Sequence, residues 1–186
     1  MNRLEATGRL EHTYILFTSD NGYHLGQHRL RNGKTQIYEE DIRVPLVVRG
    51  PKTPAGARRD HLVATIDIAP TIAKLARVRP WHDIDGQSFV DLLDDRAPPT
   101  QAWRKHLLIE VYRRLPPEGN GDVIRAIRTL DGVIYAEYES GPRELYDLSA
   151  DPYQLDNALA TASPGHVREL SGRLRELAVC AAESCR

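Results

Sequence analysis

Residues 13–34 read TYILFTSDNGYHLGQHRLRNGK. The run Tyr14-Ile15-Leu16-Phe17 is rich in β-branched and aromatic side chains and too short for a core helix, so it predicts a strand buried on both faces. It stops abruptly in Ser19-Asp20-Asn21-Gly22. Open α/β sheets bind their ligands at the carboxyl ends of strands, and here a carboxylate and an amide oxygen stand side by side at such an end. His24, His28 and Lys34 follow within fourteen residues of Asp20. The position suits a site, and the residue types suit a hard metal ion beside an anion.

Calcium and magnesium take oxygen ligands, and calcium takes six to eight of them. Asp20 and Asn21 can converge on one ion only by leaving strand geometry, because neighbouring strand residues point to opposite faces. Gly22 is expected to permit that exit through a positive φ. The pair offers two or three oxygens, so further ligands must come from elsewhere. Lys34 is a compact cation suited to an oxyanion such as sulfate or phosphate; the chain has only four lysines against twenty-one arginines. His24 and His28 could donate hydrogen bonds to that anion or protonate a leaving oxygen. Ser-Asp-Asn-Gly is equally an ordinary turn, since Asx side chains bond their own backbone and glycine closes the bend. A helical zinc motif is excluded: the histidines are four apart, but position 25 is Leu, and Gly22 and Gly26 argue for a loop.

The run from Ser19 to Lys34 is followed by Gln36-Ile37-Tyr38-Glu39 and by Arg43-Val44-Pro45-Leu46-Val47-Val48-Arg49-Gly50-Pro51. Later come Asp67-Ile68-Ala69-Pro70-Thr71, Asp85-Gly86-Gln87-Ser88, and Glu144-Leu145-Tyr146-Asp147-Leu148 with Asp151-Pro152. In this order, over nearly the whole chain, these stretches resemble the formylglycine-dependent sulfatases, most of all the N-acetylglucosamine-6-sulfatase type. The resemblance implies a partial α/β, alkaline-phosphatase-like fold with a small antiparallel-sheet-plus-helix subdomain at the carboxyl end. It implies Ca2+ held by Asp20 and Asn21, the sulfate group contacted by Lys34, and His24 and His28 near the substrate. The reaction implied is hydrolysis of a sulfate ester in a sulfated small molecule or glycan, on an amino sugar or glycosaminoglycan.

The sequence departs from that family in one large respect. No Cys/Ser-x-Pro-x-Arg motif, whose first residue becomes formylglycine, occurs in it; Ser140-Gly141-Pro142-Arg143 comes nearest, with its arginine one place early. The family's other metal aspartates have no counterpart either. The chain therefore looks like the carboxyl-terminal portion of a sulfatase with an incomplete metal site, and is expected to be inactive on sulfate esters alone. Two alternatives stand beside this reading. One is a phosphonate or phosphodiester hydrolase of the same superfamily. The other is a non-catalytic remnant that binds a separately encoded amino-terminal half, or a second copy of itself, through an unpaired sheet edge.

At 186 residues the chain can bury a real core, and its net charge of −1 gives no electrostatic case for nucleic acid or an anionic membrane. No apolar run approaches the about 20 residues of a membrane span. Residues 1–11 lack the apolar centre of a signal peptide, so the sequence as written predicts a cytoplasmic protein.

Residues 1–12 read as a helix end passing through Gly8 into the first strand. Residues 44–48 predict a second apolar strand with Pro45 near its start. Asp67 is placed to cap a helix through Ala76, with Ile68, Ile72, Leu75 and Ala76 as its apolar face. Ser88 would cap a short helix carrying Phe89, Leu92 and Leu93. Residues 94–101 (DDRAPPTQ) are the best linker, dividing residues 1–97, the catalytic-type α/β part, from a subdomain at residues 98–186.

Beyond the linker, residues 106–112 predict a strand, residues 115–122 a Pro/Gly/Asn loop, and Asp131-Gly132 a hairpin turn between two strands. Residues 144–148 make a fourth strand. Ser163-Pro164 starts a helix striped with Val167, Leu170, Leu174 and Leu177. Gly119-Asn120-Gly121 fails the dinucleotide fingerprint, since Ile124 stands at its third glycine. Arg125, Arg128, Tyr135 and Tyr138 suit sugar contact, sheet packing or a solvated face. Cys180 and Cys185 are too few for a disulfide framework, leaving free thiols or a tail bridge.

Overall fold

The computed structural model describes residues 1–113 and 122–185; the loop expected at residues 115–122 lies, up to residue 121, outside the described residues. Helix α1 (Asn2–Ala6) ends in a turn at Gly8, where φ is +65°, and leads to strand β1 (Ile15–Thr18). β1 pairs antiparallel with β2 (Leu46–Arg49) in a two-stranded sheet, Leu16 opposite Val48 and Phe17 opposite Val47. Leu16 and Val48 pack inward against Phe89, Leu92 and Trp103, while Phe17 and Val47 are 64% and 60% exposed. The expectation of a strand buried on both faces is corrected here. Alternation puts the two residues of each cross-strand pair on one face, and in the described structure only one face of this pair is packed.

Between the strands lies the one-turn helix α2 (Glu39–Ile42). After β2, helix α3 (Ile68–Ala76) turns Thr71 fully inward, flanked by the half-buried Ile68 and Leu75. The broader apolar face expected of this helix is not formed: Ile72 is 52% exposed and Ala76 is exposed. Thr71 takes the central place because its hydroxyl donates to the Asp67 carbonyl at 2.6 Å and accepts from the Phe89 amide at 3.0 Å. Asp67 does not cap α3 with its side chain. Its carboxylate is fully buried and accepts from the Ala64 amide at 2.7 Å, the Gln87 amide at 2.7 Å and the Arg104 guanidinium at 2.6 Å. The turn carrying Leu92 begins at Val90, with the Ser88 hydroxyl 3.4 Å from the Val90 amide.

The second sheet is an antiparallel meander of β3 (His106–Arg113), β4 (Asp122–Thr129), β5 (Val133–Tyr138) and β6 (Arg143–Asp147). The β4–β5 hairpin closes at Asp131-Gly132, where Gly132 adopts φ +97°, a conformation glycine reaches without steric cost. Ile127, Tyr135 and Leu145 point to the face covered by α4 (Pro164–Ala178), whose Leu170, Leu174 and Leu177 are buried against them. Ser163 caps α4 by accepting from the His166 amide at 3.2 Å, with Pro164 at its first position. Truncating Leu174, 2% exposed, to alanine is expected to destabilise the fold by about 2–5 kcal/mol, read from urea unfolding.

The opposite face carries Val111, Ile124, Ala126, Ile134, Ala136 and Tyr146, and Ile37, 0% exposed, packs into it with Tyr38 and Ile42 alongside. The sheet is thus covered on both faces, by α4 and by residues 37–42. The second cover explains why Ile124, Ala126 and Ile134 are fully buried on the face turned away from α4. Cys180 and Cys185 form a disulfide just beyond α4. Among the described residues no helix is long and apolar enough to cross a membrane.

Candidate functional site

The chain leaves β1 through Ser19, whose hydroxyl donates to the Asn21 carbonyl at 2.8 Å. The Asn21 amide donates to its neighbour, Asp20 Oδ1, at 2.6 Å. Lys34 returns to the same place and donates from Nζ to Asn21 Oδ1 at 2.9 Å. Three residues singled out in the sequence, Asp20, Asn21 and Lys34, therefore converge. They line a cleft of about 800 Å³ together with Arg59, His61, Arg128 and residues of β3.

Gly22 serves this turn for a reason other than the one expected. Its φ lies outside the left-handed region. A Cβ there would lie 1.9 Å from the Glu40 carbonyl oxygen and 2.8 Å from its carbon, so the glycine permits a close approach of two backbones. Its amide donates to the Asp41 carbonyl at 2.8 Å, fastening the loop to α2.

His24 faces inward, 3% exposed. Its Nδ1 lies 2.7 Å from Asp41 Oδ1 and its Nε2 lies 2.8 Å from the Arg31 carbonyl, so both ring nitrogens are engaged. Backbone bonds between His24 and Gly33, 2.9 and 3.0 Å, close the intervening loop. The other Asp41 oxygen accepts from the Gln36 amide at 2.9 Å. His28 stacks on Tyr38 with ring centroids 3.7 Å apart, and its Nε2 is 3.7 Å from Glu40. The structure thus brings Lys34 to the Asp20–Asn21 pair and sets both histidines into the packing behind it.

Asp41, Gln154 and Glu144 complete the site's support and were not singled out in the sequence. Glu144 accepts from Tyr138 at 2.7 Å and Tyr146 at 2.8 Å, with the Tyr38 hydroxyl at 3.5 Å. Burial, and then this carboxylate, push the Tyr146 hydroxyl far above its ordinary range. The signal for Gln154 and Glu144 is spatial, since they reach Glu39 and Tyr38 across more than 100 positions, whereas Asp41 acts within its own stretch of chain. Of the residues weighed for sugar contact, Arg128 pairs with Glu39 at 3.1 Å, Arg125 pairs with Glu110 at 3.1 Å, and buried Tyr135 donates to Glu137 at 2.8 Å.

Asp20 and Asn21 fit a hard divalent cation in kind, offering a solvent-facing carboxylate and an amide oxygen with a second lone pair beside Lys34. They do not complete one in number. Among the described residues no group of three or more histidines, cysteines or acidic residues is gathered as a metal site.

The sequence matches the family described as N-sulphoglucosamine sulphohydrolase, C-terminal, over residues 26–179. It is 34% identical to the goat (Capra hircus) N-acetylglucosamine-6-sulfatase over 215 aligned positions, which take in 100% of this chain and 38% of that protein. The chain thus spans well under half the length of this relative. A solved structure of a protein in complex with its substrate D-glucosamine-2-N,6-O-disulfate superposes with a TM-score of 0.82 at 33% identity, over 94% of this chain and 36% of that one. The phosphonate monoester hydrolase of Agrobacterium radiobacter superposes with a TM-score of 0.80 at 29% identity, over 94% and 37%.

Proposed function

The chain belongs to the sulfatase family whose carboxyl-terminal portion its sequence matches, and we propose that it supplies the metal-side and sulfate-side ligands of a sulfatase acting on amino sugars or glycosaminoglycans. One observation carries this reading: Lys34 Nζ meets Asn21 at 2.9 Å beside the solvent-facing carboxylate of Asp20, in the lining of a cleft. A fixed cation next to two hard oxygens is an arrangement for an oxyanion bridged to a divalent metal.

In this reading Asp20 and Asn21 hold Ca2+, which when bound supplies Lewis-acid polarisation of the sulfate oxygens. Lys34 stands as a preorganised donor to the sulfate group, placed where negative charge grows as the ester bond breaks. In this reading His24, with both ring nitrogens engaged, holds the loop, and His28, stacked on Tyr38, stands beside it near the substrate. The sequence contains no Cys/Ser-x-Pro-x-Arg motif, so the formylglycine nucleophile is assigned to no residue of these 186.

Isothermal titration with Ca2+, then with N-acetylglucosamine 6-sulfate, tests the assignment. The chain should bind both, Asp20→Ala should lose the metal, and Lys34→Ala should keep it while binding the sulfate ester roughly 10–100-fold more weakly, the loss of one charge-assisted hydrogen bond. A folded chain that binds neither ligand sinks the proposal. The likeness to a phosphonate monoester hydrolase supports a second reading, and tighter binding of a phosphonate monoester than of the sulfate ester would favour it.

A further inference from the structure

We infer that Gln154, in the turn after β6, is a positioning residue for the Asp20–Asn21–Lys34 cluster, an inference that rests on the ligand role just proposed for that cluster. Gln154 is 2% exposed and adopts φ +52°. A residue other than glycine holds that conformation only where its surroundings fix it, and such positions cluster at functional sites.

The Gln154 amide closes the turn on the Asp151 carbonyl at 3.1 Å, and its side chain reaches α2. Gln154 Oε1 accepts from the Glu39 amide at 2.8 Å, across 115 positions of sequence. Glu39 opens α2, and amides in the first turn of a helix have no partner within it. Tyr38, at the capping position, makes no side-chain bond to that turn, so Gln154 supplies the cap from the far subdomain. A single helical turn does not persist on its own backbone bonds, which makes this external cap consequential.

From α2 the constraint runs straight to the cluster. Asp41 engages the His24 ring with one carboxylate oxygen and the Gln36 amide with the other. Its carbonyl takes the Gly22 amide, and Gly22 directly follows Asn21, the partner of Lys34. The Arg128–Glu39 pair and the packing of Ile37 into the second sheet hold α2 from the same side. The second sheet and the turn after β6 therefore set the place of the ligand-bearing loop, and Gln154 is a polar point of attachment beside Arg128.

The test uses the whole chain with two substitutions. Gln154→Met keeps the size of the side chain and removes the acceptor; Gln154→Glu keeps an acceptor oxygen. Amide hydrogen exchange is followed by NMR at Gly22, His24 and Gly33, with Ile127 and Tyr135 of the sheet as internal references, and Ca2+ affinity is measured by titration. Gln154→Met is expected to speed exchange at the three loop amides about tenfold and to weaken Ca2+ binding by a similar factor, with the sheet amides unchanged. Gln154→Glu is expected to restore both. The inference is overturned if loop exchange is unchanged in Gln154→Met, if the sheet amides accelerate equally, if Gln154→Glu restores nothing, or if the loop loosens with Ca2+ affinity intact. A wild-type chain that takes up no Ca2+ defeats the ligand assignment instead, and exchange at Gly22 then decides by itself whether Gln154 positions the loop.

Discussion

Replacing Asp67 by alanine is expected to destabilise the chain by about 3–5 kcal/mol, the range found when one partner of a buried ion pair is removed. That is a large share of the about 5–15 kcal/mol that holds a typical domain folded. Asp67 and Arg104 have side chains 0% and 2% exposed and meet at 2.6 Å. Truncating the acid leaves the guanidinium buried, with its Nε already lacking a hydrogen-bond partner among the described residues. It also strands the amides of Ala64 and Gln87, which join the segment before α3 to the one after it. Urea unfolding should show a lowered midpoint with an unchanged slope. The double substitution Asp67→Ala with Arg104→Met should recover part of the loss, because it removes the uncompensated charge. A double variant no more stable than Asp67→Ala would show that the backbone amides, rather than the buried guanidinium, dominate the loss.

Asp67 also shows where sequence reading stops. Its position before an apolar periodic stretch predicted a helix cap, and the helix does begin at Ile68. The carboxylate, however, is used by Arg104, 37 positions later, and by a loop amide 20 positions later. Local chemistry located the element and missed the partner, because contacts across the chain leave no periodic trace. The same division runs through the rest of the molecule. Asp131-Gly132 announced its hairpin, and Ser163-Pro164 with the leucine stripe announced α4, since each is a local preference read locally. Tyr14-Ile15-Leu16-Phe17 announced a strand but not its single packed face, which depends on what lies opposite Phe17 and Val47.

The candidate site divides in the same way. Asp20, Asn21 and Lys34 were legible as residue types at the end of a strand, and the structure brings Lys34 to Asn21. The histidines were legible only as chemistry. Nothing in His24 itself reports that Asp41 and the Arg31 carbonyl occupy its ring. Gln154 was invisible altogether, because its partner is a backbone amide on a helix 115 positions away.

Gly22 is the position where the physical reason, once corrected, changes the expected experiment. A glycine needed for positive φ would be replaced with little loss by asparagine, which tolerates that region better than alanine does. Gly22 is needed instead for room, since any Cβ would sit within 1.9 Å of the Glu40 carbonyl oxygen, an atom fixed in backbone. Gly22→Ala and Gly22→Asn are therefore expected to fail alike. Each must push the loop away from α2, breaking the 2.8 Å bond from the Gly22 amide to Asp41 and moving Asn21 relative to Lys34. The strain should destabilise the fold by about 1–3 kcal/mol, as overpacking does. Its effect on the site should be larger, because a displacement of about 1 Å at a positioned group can cost about a hundredfold. Ca2+ and sulfate-ester titrations of the two variants, with urea unfolding alongside, separate these effects. If Gly22→Asn kept its ligand affinities while Gly22→Ala lost them, the dependence on backbone conformation would be reinstated and the close approach to α2 would not be what holds Asp20 and Asn21 in place.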